Sequence, residues 1–221
     1  MEEAALRDAL RYAGVKSPTD EEMNQMAALW ERLFSLCPPR HLYRVCTLKK
    51  SAEGVWLSEA DILLPGALAG ATLSDCGQAA LLICTLGAGF EGQMRQMQAR
   101  DMRKALLWDG CGSAAVETGC DEAERQIAGR FPSLYLTDRF SPGYGDLPLS
   151  LQPAILRALD AEKRLGVHAA ASCLLIPAKT VTAVVGLSHT PQPARIRGCE
   201  YCGLRDHCAV KKGGDGCGRI C

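Results

Sequence analysis

Residues 139–152 read Arg139-Phe-Ser-Pro-Gly-Tyr-Gly-Asp-Leu-Pro-Leu-Ser-Leu-Gln152, and they gather groups suited to holding a small polar ligand. Arg139 offers a planar, permanently charged fork that matches a carboxylate. Pro142 fixes one backbone angle, and Gly143 and Gly145 allow conformations that a side chain would forbid. Such a run makes a tight loop whose backbone amides can approach a ligand closely. Tyr144, between the two glycines, adds an aromatic face and a hydroxyl. Arginine, amides and ring together suit a ligand with a carboxylate and a flat base. The same residue types also build an ordinary Pro-Gly turn between two elements.

A second group of chemically capable residues closes the chain: Cys199, Cys202, Cys208, Cys217 and Cys221. A Cys-x2-Cys turn directs two thiolates at one ion, and later cysteines can complete a tetrahedron. Neighbouring glycines let a segment with little apolar content fold around the ion. Arg197, Arg205, Lys211, Lys212 and Arg219 offset part of the thiolate charge. The reading is a metal-binding tail over residues 191–221, holding either zinc or an iron–sulfur cluster, since both accept four cysteines at variable spacing. The competing account is a disordered, redox-active tail. The remaining cysteines, Cys37, Cys46, Cys76, Cys84, Cys111, Cys120 and Cys173, lie mostly among Leu, Ala, Ile and Val. There they read as small hydrophobes of the core. A disulfide scaffold would need a secretory signal and a shorter chain.

With 221 residues the chain can bury a substantial core, read here as a body over residues 1–190 followed by the cysteine tail. Lys plus Arg and Asp plus Glu each total 25, so no global field attracts nucleic acid or an anionic membrane. The longest apolar runs, such as Ala79–Cys84 and Val181–Val185, are far too short to span a bilayer. The start, Met1-Glu2-Glu3-Ala4, is acidic and lacks the basic opening of a signal peptide. The expectation is a cytoplasmic protein without nucleic-acid or membrane partners.

The elements that must carry these groups read as follows. Glu2–Ala13 and Thr19–Leu36 are predicted helices, the second capped by Ser17-Pro18-Thr19-Asp20 and stopped by Cys37-Pro38-Pro39. Met23, Met26, Ala27, Trp30, Leu33 and Phe34 recur in it at helical spacing, as core positions. His41–Lys49 predicts a strand that pairs with Gly54–Leu57 through a turn, and Pro65–Ala69 a short helix. Ala79–Leu86 predicts a buried strand, ending at Gly87-Ala88-Gly89 before a helix from Phe90 to Gln98. A lone Gly-x-Gly without a downstream acidic partner is poor evidence for a nucleotide loop. Ala99–Ala128 carries a long helical pattern whose small centre (Gly110, Gly112, Ser113, Ala114, Ala115) permits close packing. After the loop at Phe131–Leu149, one helix is predicted over Ser150–Arg164, then strands near Ser172–Ile176 and Thr180–Leu187. Few strands separated by long helices, without regular strand–helix alternation, predict an α+β fold with a central, mainly antiparallel sheet flanked by helices.

Over Arg139–Ser188 the chain resembles the S-adenosylmethionine-binding activation domain of cobalamin-dependent methionine synthase. In that family an Arg-x-x-Pro-Gly-Tyr loop precedes a helix, a Gly, and two apolar strands around a Pro. Here the order is Arg139-Phe-Ser-Pro-Gly-Tyr144, the predicted helix, Gly166, and the run Ala171–Ser188 around Pro177. The resemblance implies that Arg139 holds the ligand carboxylate, while Pro142, Gly143 and Tyr144 shape the wall and supply backbone contacts. It also implies a helical acid near the site, a place that Glu117 roughly occupies; a solvated helix carboxylate is the plainer account of Glu117. His189 follows the second strand and reads as a turn residue. Where the family continues with a cysteine and a histidine, this chain has Gly145-Asp146-Leu147-Pro148, a departure bearing on cobalamin-facing contacts more than on S-adenosylmethionine.

The function so implied is a stand-alone reactivation module for a corrinoid-dependent methionine synthase. It would bind S-adenosylmethionine for reductive methylation of oxidised cobalamin held by a separate corrinoid-binding subunit, with an electron-donor protein as second partner. No catalytic residue is required of this chain, because the cofactors carry the chemistry. A competing class is a cysteine-cluster metal-binding interaction protein whose arginine loop is structural. A self-sufficient methyltransferase is disfavoured by the missing strand–Gly-rich-loop–helix unit.

Overall fold

A computed structural model of the chain describes residues 2–192. The five-cysteine cluster predicted to bind metal, Cys199 to Cys221, lies outside the described residues. In chain order the elements are α1 (Glu2–Tyr12), α2 (Asp20–Leu36), β1 (Arg40–Ser51), β2 (Gly54–Leu57), β3 (Ile62–Leu64), α3 (Ala67–Thr72), β4 (Cys76–Thr85), α4 (Gly87–Gln98) and α5 (Met102–Arg130). Then come β5 (Tyr135–Leu136), a 3-10 turn at Leu149–Leu151, α6 (Gln152–Ala158), α7 (Ala161–Leu165), β6 (His168–Ala169), β7 (Leu175–Ile176) and β8 (Thr180–Ser188). Six strands form one sheet in the order β3-β2-β1-β4-β8-β5, and β6 and β7 make a separate antiparallel pair. The β1–β2, β2–β3 and β5–β8 pairs are antiparallel, so the expected α+β architecture with a mainly antiparallel sheet is the one observed.

The chain divides into two compact units. The first comprises residues 2–44, Leu82–Gln126 and Leu149–Thr182. Its α2 starts on a reciprocal cap: Thr19 Oγ1 accepts from the Glu22 amide while the Glu22 carboxylate accepts from the Thr19 amide. The Thr19 amide, and after it the Thr19 hydroxyl, donate to the Glu22 carboxylate and hold that carboxyl below its ordinary value. Met26, Leu29, Trp30 and Leu33 share the buried stripe, and Phe34, expected in the core, is at the exposed border. The small residues of α5 are there for packing. A Cβ on Gly112 would meet the Phe90 ring at 2.3 Å, and one on Gly119 would meet Cys84 Sγ at 2.4 Å. Phe90 in turn stacks on Trp108 with centroids 5.3 Å apart.

Gly87 opens α4 with φ of 71°, and its amide donates to Thr85 Oγ1 at 3.0 Å. The predicted helix Ser150–Arg164 is corrected: it is a 3-10 turn and two short helices, broken at Asp160, which is left-handed at φ 51°. The apolar spacing of Leu151, Ile155, Leu156 and Leu159 continues to the break, so periodicity alone did not reveal it. The predicted strand at Ser172–Ile176 shortens to Leu175–Ile176, because Cys173 turns left-handed at φ 65°.

The second unit comprises Val45–Leu81, Ile127–Pro148 and residues from 183 to the end of the described chain. In it β1 turns into β2 with Ser51 opposite Gly54, a two-residue loop at Ala52 and Glu53. Gly54 is obligatory there: its φ is 144°, and a Cβ would lie 2.3 Å from the Leu64 carbonyl oxygen. The expected small helix forms at α3, two residues later than predicted.

None of the described cysteines is in a disulfide: Cys37, Cys46, Cys76, Cys84, Cys111 and Cys120 are buried, and Cys173 is half-buried. Burial, with Cys37 adding to it, pushes the Cys111 thiol up to about 12. Such a thiol is an unreactive hydrophobe at neutral pH. Among the described residues, no group of three or more His, Cys, Asp or Glu could hold a metal ion. No described helix is long and apolar enough to cross a membrane.

Candidate functional site

The arginine loop leaves the sheet through a bulge. Along β5, Tyr135 faces Ser188 and Leu136 faces Leu187. Thr137 continues the register against Gly186, its amide donating to the Gly186 carbonyl at 3.0 Å and its hydroxyl accepting from the Gly186 amide at 2.8 Å. The next pairing is Phe140 with Val184, closed by bonds of 3.0 and 2.8 Å. Two residues, Asp138 and Arg139, therefore stand opposite the single residue Val185. A bulge of this kind bends the strand and re-aims a side chain, and bulges concentrate beside functional sites. Gly186 makes the close approach possible, since a Cβ there would sit 2.6 Å from Cys76 Sγ and 2.9 Å from Thr137 Cγ2.

Phe140 is fully buried and anchors the bulge, while Arg139 beside it is half-buried. The chain then turns on itself. The Tyr144 amide donates to the Ser141 carbonyl at 3.0 Å, the Leu147 amide to the Tyr144 carbonyl at 2.9 Å, and the Gly143 amide to the Leu147 carbonyl at 2.8 Å. Gly143 at φ 98° and Gly145 at φ 52° supply the left-handed turns this closure needs. Pro142 and Leu147 are buried beneath the loop, and the Tyr144 side chain remains 49 % exposed. Arg139, Pro142, Gly143 and Tyr144 thus share one loop, as their sequence proximity requires. The expectation that its amides face a ligand is narrowed: those of Gly143 and Tyr144 are taken by the loop itself. What these two residues can still offer outward is the Gly143 carbonyl oxygen and the tyrosine ring.

One residue of this loop has a role with no signature in the local sequence. Asp146 accepts from the Ala67 amide at 2.5 Å and from the Leu68 amide at 3.1 Å, at the start of α3. The bond from Ala67, then that from Leu68, holds the Asp146 carboxyl below its ordinary range. A folded-state pKa depressed in this way contributes stability that is fully present above the unfolded carboxylate value. The contribution is lost as pH falls through the folded value. Protection of the Ala67 and Leu68 amides, corrected for intrinsic exchange, should therefore hold through neutral pH and fall only under acid conditions. An Asp146 carboxyl found by NMR to titrate at or above an ordinary aspartate would contradict this.

Glu117 lies in the middle of α5, in the first unit, and is half-buried rather than the solvated carboxylate expected. His189 is exposed, one residue beyond β8, as a turn residue would be.

No family model and no characterised protein sequence matches the chain. Among solved structures the chain is similar to the MetH reactivation domain bound to AdoHcy, with a TM-score of 0.62 over 97 % of this chain and 83 % of that one. The fold is that of the MetH reactivation domain. At 12 % sequence identity, the likeness is one of architecture carried by very different side chains. Because it extends over nearly the whole described chain, it reaches well upstream of the segment whose sequence resembles the activation domain.

Proposed function

We propose that this chain binds S-adenosylmethionine at the arginine loop and serves as a stand-alone reactivation module for a corrinoid-dependent methionine synthase. The observation that carries the reading is the fold itself, which is similar over 97 % of the chain to a reactivation domain solved with AdoHcy. Fold alone does not assign function. The loop supplies the local chemistry that supports it: a bulge re-aims Arg139, and an exposed Tyr144 ring stands five residues on. In this reading the Arg139 guanidinium pairs with the methionine carboxylate of the ligand. Tyr144 offers an aromatic wall, and Gly143 lets the backbone approach where a side chain would obstruct it.

In the reaction, S-adenosylmethionine supplies a methyl group and an external donor supplies one electron to the oxidised corrinoid. This chain's part is to bind and orient, a contribution that needs no nucleophile or general base of its own. A groove open on one side suits a ligand whose methyl group must face a second protein. The corrinoid-binding subunit and the electron-donor protein are the partners this reading requires. Calorimetric titration of the full chain with S-adenosylmethionine and with AdoHcy tests it, and absence of binding by both would overturn it.

The cysteine tail belongs to the same proposal as a metal site formed by Cys199, Cys202, Cys208 and one or both of Cys217 and Cys221. A need for single electrons favours iron–sulfur over zinc. Protein purified without oxygen should then be brown, whereas zinc would leave it colourless and release metal when the thiols are blocked. Metal analysis finding neither iron nor zinc would remove the metal site and leave the ligand site standing.

A further inference from the structure

The arginine loop is closed by hydrogen bonds between Gly143 and Leu147, and between these two residues its outermost tie to another element is a single carboxylate. Asp146 spends both its oxygens on α3, Oδ2 on the Ala67 amide at 2.5 Å and Oδ1 on the Leu68 amide at 3.1 Å. The partner surface is shaped for it. Gly66, just before α3, has φ of 94°, and a Cβ there would lie 2.5 Å from Asp146 Cγ and 2.7 Å from either oxygen. Gly145, next to Asp146, lies against Leu68, whose Cδ2 would be 3.3 Å from a Cβ on it. Glycines on both sides thus let backbone and carboxylate meet at a distance no side chain would permit.

We infer that Asp146 is a positioning residue, which holds Tyr144 and the loop apex in the binding geometry by clamping them to α3 without touching the ligand itself. The inference rests on the proposed S-adenosylmethionine site. Its logic is preorganisation: a loop ordered before the ligand arrives loses less freedom on binding. Tyr144 is two residues from the clamp, and its carbonyl and amide both belong to the hydrogen-bonded ring that the clamp fixes. If the loop were free to leave α3, only part of the population would be competent to bind, and the apparent affinity would fall by that fraction.

The test uses the full chain with Asp146→Ala, Asp146→Asn and Gly66→Ala. Readouts are S-adenosylmethionine affinity by calorimetry, amide exchange at Ala67, Leu68 and 143–147, and thermal stability. Asp146→Ala should weaken binding about fivefold to tenfold and raise exchange through 143–147. Asp146→Asn, which retains a carbonyl acceptor, should recover part of both. Gly66→Ala breaks the same junction from the other side, so combining it with Asp146→Ala should cost little more than either alone. A melting point lowered by Asp146→Ala with unchanged affinity would make Asp146 a structural cap only and overturn the inference. Should the unaltered chain fail to bind S-adenosylmethionine, the proposed function falls. The exchange data then decide separately whether Asp146 holds the loop: unchanged exchange at 143–147 in Asp146→Ala refutes the clamp, and raised exchange upholds it.

Discussion

Replacing Arg139 with Ala is expected to weaken S-adenosylmethionine binding roughly tenfold to hundredfold, a loss of about 1.5–3 kcal/mol for one charge-assisted pair. The site of the substitution makes the result interpretable. Arg139 sits in the bulge opposite Val185, and the fully buried residue that anchors the bulge is its neighbour Phe140. Removing the guanidinium should therefore leave the Phe140–Val184 pairing and the far-ultraviolet circular dichroism intact. Arg139→Lys sharpens the reading. A lysine retains the charge but presents a point rather than a fork, so its affinity should fall between the two. Unchanged affinity in Arg139→Ala, with the fold preserved, would defeat the proposed carboxylate contact.

The features of the fold that could be read from sequence are those written in adjacent residues. The capped start of α2 near Thr19, the hairpin at Ser51–Gly54 and the buried strand before Gly87 each depend on a local pattern, and each forms where expected. What escaped was either too short to show a period or decided by distant contacts. β3, β5 and β6 have three, two and two residues, fewer than one alternation of a strand needs to be recognised. The break at Asp160 is a single left-handed residue, a conformation an aspartate tolerates better than most, and apolar spacing continues up to it. The candidate site divides in the same way. Arg139, the glycines and Tyr144 were visible as a motif. The bulge that re-aims Arg139 needs knowledge of which residues of β8 it faces, and the clamp joins Asp146 to an amide 79 positions away. Neither has a local signature, so the loop's chemistry was legible and its support was not.

The long helix α5 offers the second large effect, because one of its glycines reverses the sign of an ordinary substitution. In a helix interior Gly→Ala normally stabilises by about 1 kcal/mol, through backbone entropy and helix propensity. At Gly110 the new methyl would lie 2.3 Å from the Ala9 carbonyl oxygen, 2.8 Å from the Ala13 nitrogen and 2.9 Å from the Ala13 Cβ. Two of those atoms are backbone, so no rotamer change can relieve the clash, and α1 must be pushed off α5. Ala9, Leu10 and Ala13 are buried there, and their packing would be lost with the displacement. Overpacking of this kind costs typically about 1–3 kcal/mol, and more where backbone must move, which outweighs the propensity gain. A net loss of about 1–2 kcal/mol, after the propensity gain is subtracted, should lower the melting temperature of a chain this size by roughly 2–8 °C. Gly129 is the internal control: it is exposed on the same helix, and a Cβ there meets nothing within 4 Å. Gly129→Ala should leave stability unchanged or raise it by up to about 1 kcal/mol. Thermal melts of the two variants decide the matter, and a Gly110→Ala protein as stable as Gly129→Ala would show that α1 does not pack on α5 in this way.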